Sequence, residues 1–234
     1  MTLYGVELVQ VADEEEAARV VAEELVTAAR AGQAIVLTGG TSPGRAYELA
    51  VEDEPDWSGT ELWWGDERCV PPEDERSNYR LARERLLDGL SAQPRKVHRI
   101  RGELGAEAAA GEYDAELEGA ELDLVLLGIG PDGHAASLFP DQPTLDERAR
   151  RAIPAEAKLE PFVDRVTLTV PVLSSAPEVL FLVTGEQKAE AVERAFGRPP
   201  ERTTPSSLIR SASGRTRVVA DAAAASRLST QLDT

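Results

Sequence analysis

Short apolar runs alternate along the chain with longer stretches in which apolar positions recur at helical spacing, and turn-forming residues separate the two. AIVLT at 34–38 and the run that begins at Leu122 are almost continuously apolar, the pattern of strands covered on both faces. Strands are predicted over 4–11, 34–38, 61–64, 97–100, from 122, and over 165–170, 179–184 and 217–220. Helices are predicted from the N-cap Asp13 to near Gly32, after the glycine loop at 39–40, over 78–87, 106–117 and 188–196, after Pro205, and at the C-terminus. Glu14, Glu15 and Glu16 favour the first of these, because acidic side chains in a first turn complement the helix dipole. Repeated strand, loop, helix order predicts one α/β domain over residues 1–234, with a mainly parallel twisted sheet and helices on both faces.

Composition narrows the function classes. With 234 residues, 42% of them hydrophobic, the chain has enough apolar material for one large core, and no linker, repeat or low-complexity tract divides it. The N-terminus lacks a basic start leading into an apolar stretch, and no segment reaches the apolar length that spans a bilayer, so a cytoplasmic protein with no membrane partner is expected. A formal charge of −17 argues against nucleic acid or an anionic membrane surface. It leaves room for a small anion wherever arginine, lysine and backbone N–H groups concentrate. Cys69, the only cysteine, excludes an internal disulfide and a cysteine-cluster metal site, and no histidine adjoins it in sequence to make it a nucleophile. Nothing in the pattern specifies an oligomeric state.

Four loops carry candidate chemistry. The run at 122–140, LDLVLLGIGPDGHAASLFP, leads a buried strand into a turn that Gly128, Gly130 and Gly133 allow to be sharp, and that turn presents Asp132 and His134. Histidine is the side chain best suited to move protons near neutral pH. Residues 128–133 also match the dinucleotide-binding fingerprint letter for letter, but Pro131 interrupts it and no second strand ending in an acid follows on schedule, which argues against a nicotinamide or flavin site. Residues 38–45, TGGTSPGR, join a strand to a helix with Ser42 as the expected N-cap and Pro43 at the first helical position, so that Gly39, Gly40, Thr41 and Ser42 aim N–H groups at an anion. Arg45, in the first turn where a cation opposes the dipole, fits if that anion is present. WWGDER places Asp66 and Arg68 after an apolar strand, with Trp63 and Trp64 expected in core and pocket wall; Asn78 further on either caps a helix or reaches a ligand hydroxyl. Lys188 opens a helix, again where a cation calls for a shared anion, and Arg165 either points into the same cleft or pairs with Asp164 or another acid.

Taken in order, GGTSPGR, WWGDER with SNYR, GIGPDGHAASLFP, RVTLT, TGEQK and TPSSLI closely resemble the motif series of 6-phosphogluconolactonases, over nearly the whole chain. The family commonly has threonine where Ala135 stands, and a first loop closer to Gly-Gly-Ser-Thr-Pro. The resemblance implies a modified Rossmann-like fold of the deaminase/isomerase type and hydrolysis of 6-phospho-D-glucono-1,5-lactone in the oxidative pentose phosphate pathway. It implies that His134 deprotonates water, that Asp132 or Asp66 orients the imidazole or binds hydroxyls, and that Arg45, Arg68, Arg165 and Lys188 are candidates for the phosphate. Gly39, Gly40, Thr41, Ser42 and Asn78 complete the implied substrate-binding set. No metal or organic cofactor is required, and two widely separated histidines argue against a histidine-rich metal site. The competing readings are a sugar-phosphate isomerase or deaminase of the same fold and a non-catalytic sugar-phosphate sensor. The deaminase pattern resembles Asp-Gly-His-Ile-Ala-Phe-Asn-Glu-Pro, with glutamate five residues after the histidine, where this chain has Phe139.

Overall fold

The computed structural model describes residues 2–228. Eleven strands and six helices alternate in it: β1 (Thr2–Leu3), β2 (Val6–Val11), α1 (Glu14–Arg30), β3 (Ala34–Leu37), α2 (Thr41–Asp53), β4 (Glu61–Trp64), β5 (Asp66–Arg68), α3 (Asn78–Arg85), β6 (Lys96–Val97), α4 (Ala106–Glu116), β7 (Leu124–Leu127), β8 (Ala152–Ala155), β9 (Arg165–Leu168), α5 (Val170–Leu173), β10 (Glu178–Val183), α6 (Ala189–Phe196) and β11 (Arg215–Asp221). The main sheet has the order β1-β2-β11-β10-β7-β3-β4-β6. All its pairs are parallel except β1 with β2. Every residue of β7 and the run from Val179 to Val183 in β10 is buried. Because successive side chains point to opposite faces of a sheet, such runs show that both faces are covered, as the continuously apolar sequence predicts. No helix among the described residues is long and apolar enough to cross a membrane.

Several predicted elements change. The strand expected over 4–11 breaks into a hairpin at Tyr4 and Gly5, whose φ angles of 46° and 78° reverse the chain, so only β2 joins the parallel array. The 97–100 strand is reduced to the edge pair β6. The strand expected over 165–170 leaves the main sheet and forms β9, which pairs antiparallel with β5 and β8 in a separate three-stranded sheet. β5 and β8 are too short to carry a strand pattern of their own, and β5 finds its partner, β9, far along the chain. Helix α2 starts at Thr41 with Gly40 as its N-cap, so Ser42 and Pro43 lie inside the first turn rather than at its boundary. The segment after Pro205 is a single 3₁₀ turn, Pro205–Leu208. Residues 222–227 form turns, and the remainder of the expected C-terminal helix lies outside the described residues.

Candidate active site

From β3 the chain moves outward to β4 and β6, then crosses back to place β7 on the other side of β3 and continues outward to β10 and β11. The β3/β7 boundary is therefore where strand order reverses, and an open α/β sheet forms a crevice beyond the carboxyl ends of its strands at such a point. A cleft of about 750 Å³ lies there. Loops leaving four neighbouring strands line it: Thr38 to Pro43 after β3, Asp66 and Arg68 after β4, Gly128 to Pro131 and His134 after β7, and Thr184, Gly185, Gln187 and Lys188 after β10.

The turn after β7 folds a histidine back against its own backbone. A Cβ on Gly130 would lie 2.0 Å from Nδ1 of His134, so only glycine leaves space for the ring. Gly133 has a φ of 93° and lies against Thr204, while its carbonyl accepts from the Ser206 N–H at 3.0 Å. Asp132 Oδ1 is 2.6 Å from Nδ1 of His134 and also accepts the His134 backbone N–H at 3.1 Å. Burial opposes the charge on Asp132, but its hydrogen bond to His134 and the attraction of that ring outweigh burial and hold the carboxyl below its usual range. An ionised carboxylate only accepts, so the proton of the neutral ring sits on Nδ1 and the lone pair on Nε2, which has no partner among the described residues. Phe139 packs against the imidazole with ring centroids 4.9 Å apart. The turn leads to no long helix, which removes the structural context that the dinucleotide fingerprint requires.

Asp66 does not touch this pair. It is buried, accepts from Ser137 Oγ at 2.6 Å and from Asn78 Nδ2 at 3.2 Å, and lines the cleft beside Asn78. Asp132 is thus the acid that orients His134. Ser77 caps α3 by accepting from the Arg80 N–H, which frees Asn78 to hold Asp66. Gly39 makes this possible, since a Cβ there would lie 1.9 Å from Asn78 Oδ1.

Strand alternation sends Glu67 the opposite way from Asp66 and Arg68. Its buried carboxylate accepts from the N–H groups of Arg68, Asn78 and Tyr79 and from Ser77 Oγ at 2.7–2.9 Å, and burial nevertheless pushes its pKa up. Glu67 therefore ties β5 to the start of α3. Glu67→Gln would set an amide NH₂ against two of these donors, at about 1–3 kcal/mol for each buried group left unsatisfied. We expect an earlier urea midpoint; an unchanged midpoint would contradict this role.

Positive charge enters from both flanks. Arg68 and Arg165 are directly opposed in the β5/β9 register, although like charges facing one another across strands are unfavourable. Arg165 is buried, its guanidinium lies 5.6 Å from the Phe139 ring centroid, and burial and the neighbouring Arg68, against the pull of Asp66, lower its pKa. Nε of Arg68 and Nε of Arg165 are buried without an acceptor among the described residues. Lys188 lines the other flank, its pKa lowered by burial against the pull of Asp132. Among the described residues none of the three forms an ion pair, whereas the surface arginines are extensively paired.

Arg45 is not brought into the cleft. Its guanidinium is engaged by Glu15 of α1 at 2.8 Å and Glu48 at 3.0 Å, so the anion that its position in α2 called for is a protein carboxylate. Thr41 and Ser42 do line the cleft, and their N–H groups, in the first helical turn, have no intrahelical acceptor. Trp63 and Trp64 are buried core residues and do not form the pocket wall; Trp63 stacks on the buried His98. Ala135 is buried in the core, so its missing hydroxyl is not on the cleft surface. Burial and the acids Asp164 and Glu67 raise the Cys69 thiol to about 11, far from a ready nucleophile. Among the described residues no group of three or more His, Cys, Asp or Glu side chains is arranged to hold a metal ion. Ser137, Thr184 and Glu14 are site residues that the sequence reading passed over; Ser137 alone had a signal, three residues beyond His134 in the same motif.

The sequence model of the family described as Glucosamine-6-phosphate isomerases/6-phosphogluconolactonase matches residues 12–218. The chain is 37% identical to the 6-phosphogluconolactonase of Streptomyces coelicolor, across 92% of each chain. The solved 6-phosphogluconolactonase from Trypanosoma cruzi superposes with a TM-score of 0.86 at 25% identity, covering 98% of both chains. A monomeric glucosamine-6-phosphate deaminase superposes with a TM-score of 0.84 at 18% identity, covering 94% of this chain and 99% of that one, so the fold alone does not choose between the two chemistries. With its switch-point cleft, its carboxylate-held histidine and this match over most of its length, the chain belongs to the glucosamine-6-phosphate isomerase/6-phosphogluconolactonase family.

Proposed function

We propose that the cleft hydrolyses 6-phospho-D-glucono-1,5-lactone to 6-phosphogluconate, the lactonase step of the oxidative pentose phosphate pathway, with His134 as the general base. The observation that carries this reading is a histidine whose Nε2 has no partner among the described residues, in a cleft flanked on both sides by cations that form no ion pair among those residues. His134 takes a proton from water as the oxygen attacks the lactone carbonyl, and Asp132 stabilises the resulting imidazolium. Collapse of the tetrahedral intermediate breaks the bond to the ring oxygen, which receives the proton from His134. Water has then added across the ester, and the new acid ionises.

Charge placement orients the substrate. The product carries an anion at each end, and the cleft offers positive charge at both: Lys188 after β10, and Arg68 and Arg165 facing one another across β5 and β9. The Thr41 and Ser42 N–H groups and Lys188 bind the phosphate; the Ser42–Thr184 hydrogen bond, 2.7 Å long, ties these two loops together. Arg165 and Arg68 meet the oxyanion and the product carboxylate, with Arg165 sharing the Phe139 ring with His134. Asp66 and Asn78 bind hydroxyls between them. A twice-charged soluble substrate agrees with the cytoplasmic location expected from the sequence.

The test is direct. Freshly prepared phospholactone should release acid far faster with the protein than by spontaneous hydrolysis, and glucosamine 6-phosphate should yield no ammonia, because buried Phe139 stands where the deaminase pattern has glutamate. Ammonia release at a rate comparable to lactone opening would overturn the proposal, and tight binding with no turnover would favour a sensor.

A further inference from the structure

The proposed phosphate end of the cleft already contains an anion. Glu14, in the first turn of α1, lines the cleft and its Oε1 accepts from Ser42 Oγ at 2.7 Å. The same hydroxyl is 2.7 Å from Thr184 Oγ1, so Ser42 donates to Glu14 and accepts from Thr184. The neighbouring contact has the same character, with Glu15 on Arg45 in the next turn of α2. Two adjacent acids of α1 therefore address the positive end of α2: Glu15 neutralises a cation outside the cleft, and Glu14 sits beside free helical N–H groups within it.

We infer that Glu14 is a built-in competitor for the phosphate group, a carboxylate that holds the Ser42 hydroxyl in the free protein and must give it up when a phosphorylated ligand binds. The inference rests on placing the phosphate at α2 and Lys188. Its consequence is weaker ground-state binding of every phosphorylated ligand. That bears on turnover, because ring opening converts a neutral ester into a carboxylate at the arginine end, and 6-phosphogluconate is then held by charge at both ends when it must leave. Tight binding of lactone and product alike would lower KM without raising kcat and would slow product departure. An acid at the phosphate end shifts that balance towards release.

The experiment measures dissociation constants of inorganic phosphate and of 6-phosphogluconate by titration calorimetry, in the unmodified protein, Glu14→Gln and Lys188→Ala. Gln retains an acceptor for Ser42 and removes only the charge, and Asp13, not Glu14, caps α1, so the helix keeps its start. Glu14→Gln should bind both ligands roughly three- to tenfold more tightly at low ionic strength, with the gain shrinking as salt is added. Lys188→Ala should bind both at least tenfold more weakly. Unchanged or weakened phosphate binding by a folded Glu14→Gln protein overturns the inference. Unchanged binding by Lys188→Ala withdraws Lys188 from the phosphate site and leaves the Glu14 result to be decided by its own titration.

Discussion

Replacing His134 with alanine should leave the protein folded and lower kcat/KM for the phospholactone by about 10²–10⁴-fold, the usual contribution of a positioned general base. The turn that carries His134 does not depend on its ring. Backbone bonds from Gly130 N–H to His134 O, from Gly133 N–H to Gly130 O and from Ser206 N–H to Gly133 O hold it, and none of them involves the imidazole. Gly130 likewise keeps its space whether or not the ring is present. Asp132→Asn should also lose activity with the fold intact, because an amide can hydrogen-bond the ring in the wrong tautomer and cannot stabilise the imidazolium. Spontaneous lactone hydrolysis must be subtracted at each pH. A folded His134→Ala variant with undiminished kcat/KM would remove His134 as the base.

The second large effect concerns selectivity. Lys188→Ala should reduce kcat/KM for the phosphorylated lactone by about 10–100-fold, the order expected when a charge-assisted contact to phosphate is lost at a half-buried site. Glucono-1,5-lactone, which has no phosphate, should be affected far less, since it never used the lost charge. Arg45→Ala supplies the contrast. Its guanidinium is already neutralised by Glu15 and Glu48 on the outer side of α2, so both substrates should stay within about twofold of the unmodified protein. Equal losses for the two lactones in Lys188→Ala would show that Lys188 acts on the reacting centre or the fold. A selective loss in Arg45→Ala would return that residue to the phosphate site.

What the sequence reveals and what it withholds divide along a physical line. Local signals were sufficient for the turn after β7: a buried apolar run, a glycine where a side chain would collide with His134, and an aspartate two residues from the ring it orients. The order of strands and helices was legible for the same reason, because burial on both faces imposes a continuous apolar pattern. Long-range pairing was not. Arg165 reaches the cleft only because β9 leaves the main sheet to pair with β5, and the opposition of Arg165 to Arg68 follows from a register that no local pattern states. Arg45 shows the converse failure. Read from sequence into a first helical turn, Arg45 calls for an anion; the helix in fact starts at Thr41, which puts Arg45 in the second turn, and the sequence does not say that α1 packs Glu15 beside it. Likewise, nothing adjacent to Asp66 indicates that Ser137 and Asn78 hold it while Asp132 alone serves His134.

The central claim is an orientation: lactone carbonyl at His134, phosphate at the N-terminus of α2 and Lys188. A crystal structure of the protein with 6-phosphogluconate bound tests it most directly. The carboxylate carbon should lie beside Nε2 of His134, with its oxygens within hydrogen-bond reach of Arg165 or Arg68, and the phosphate should accept from the Thr41 and Ser42 N–H groups and from Lys188. A product bound in the reverse direction, with its phosphate on Arg68 and Arg165 and its carboxylate away from His134, would contradict the account.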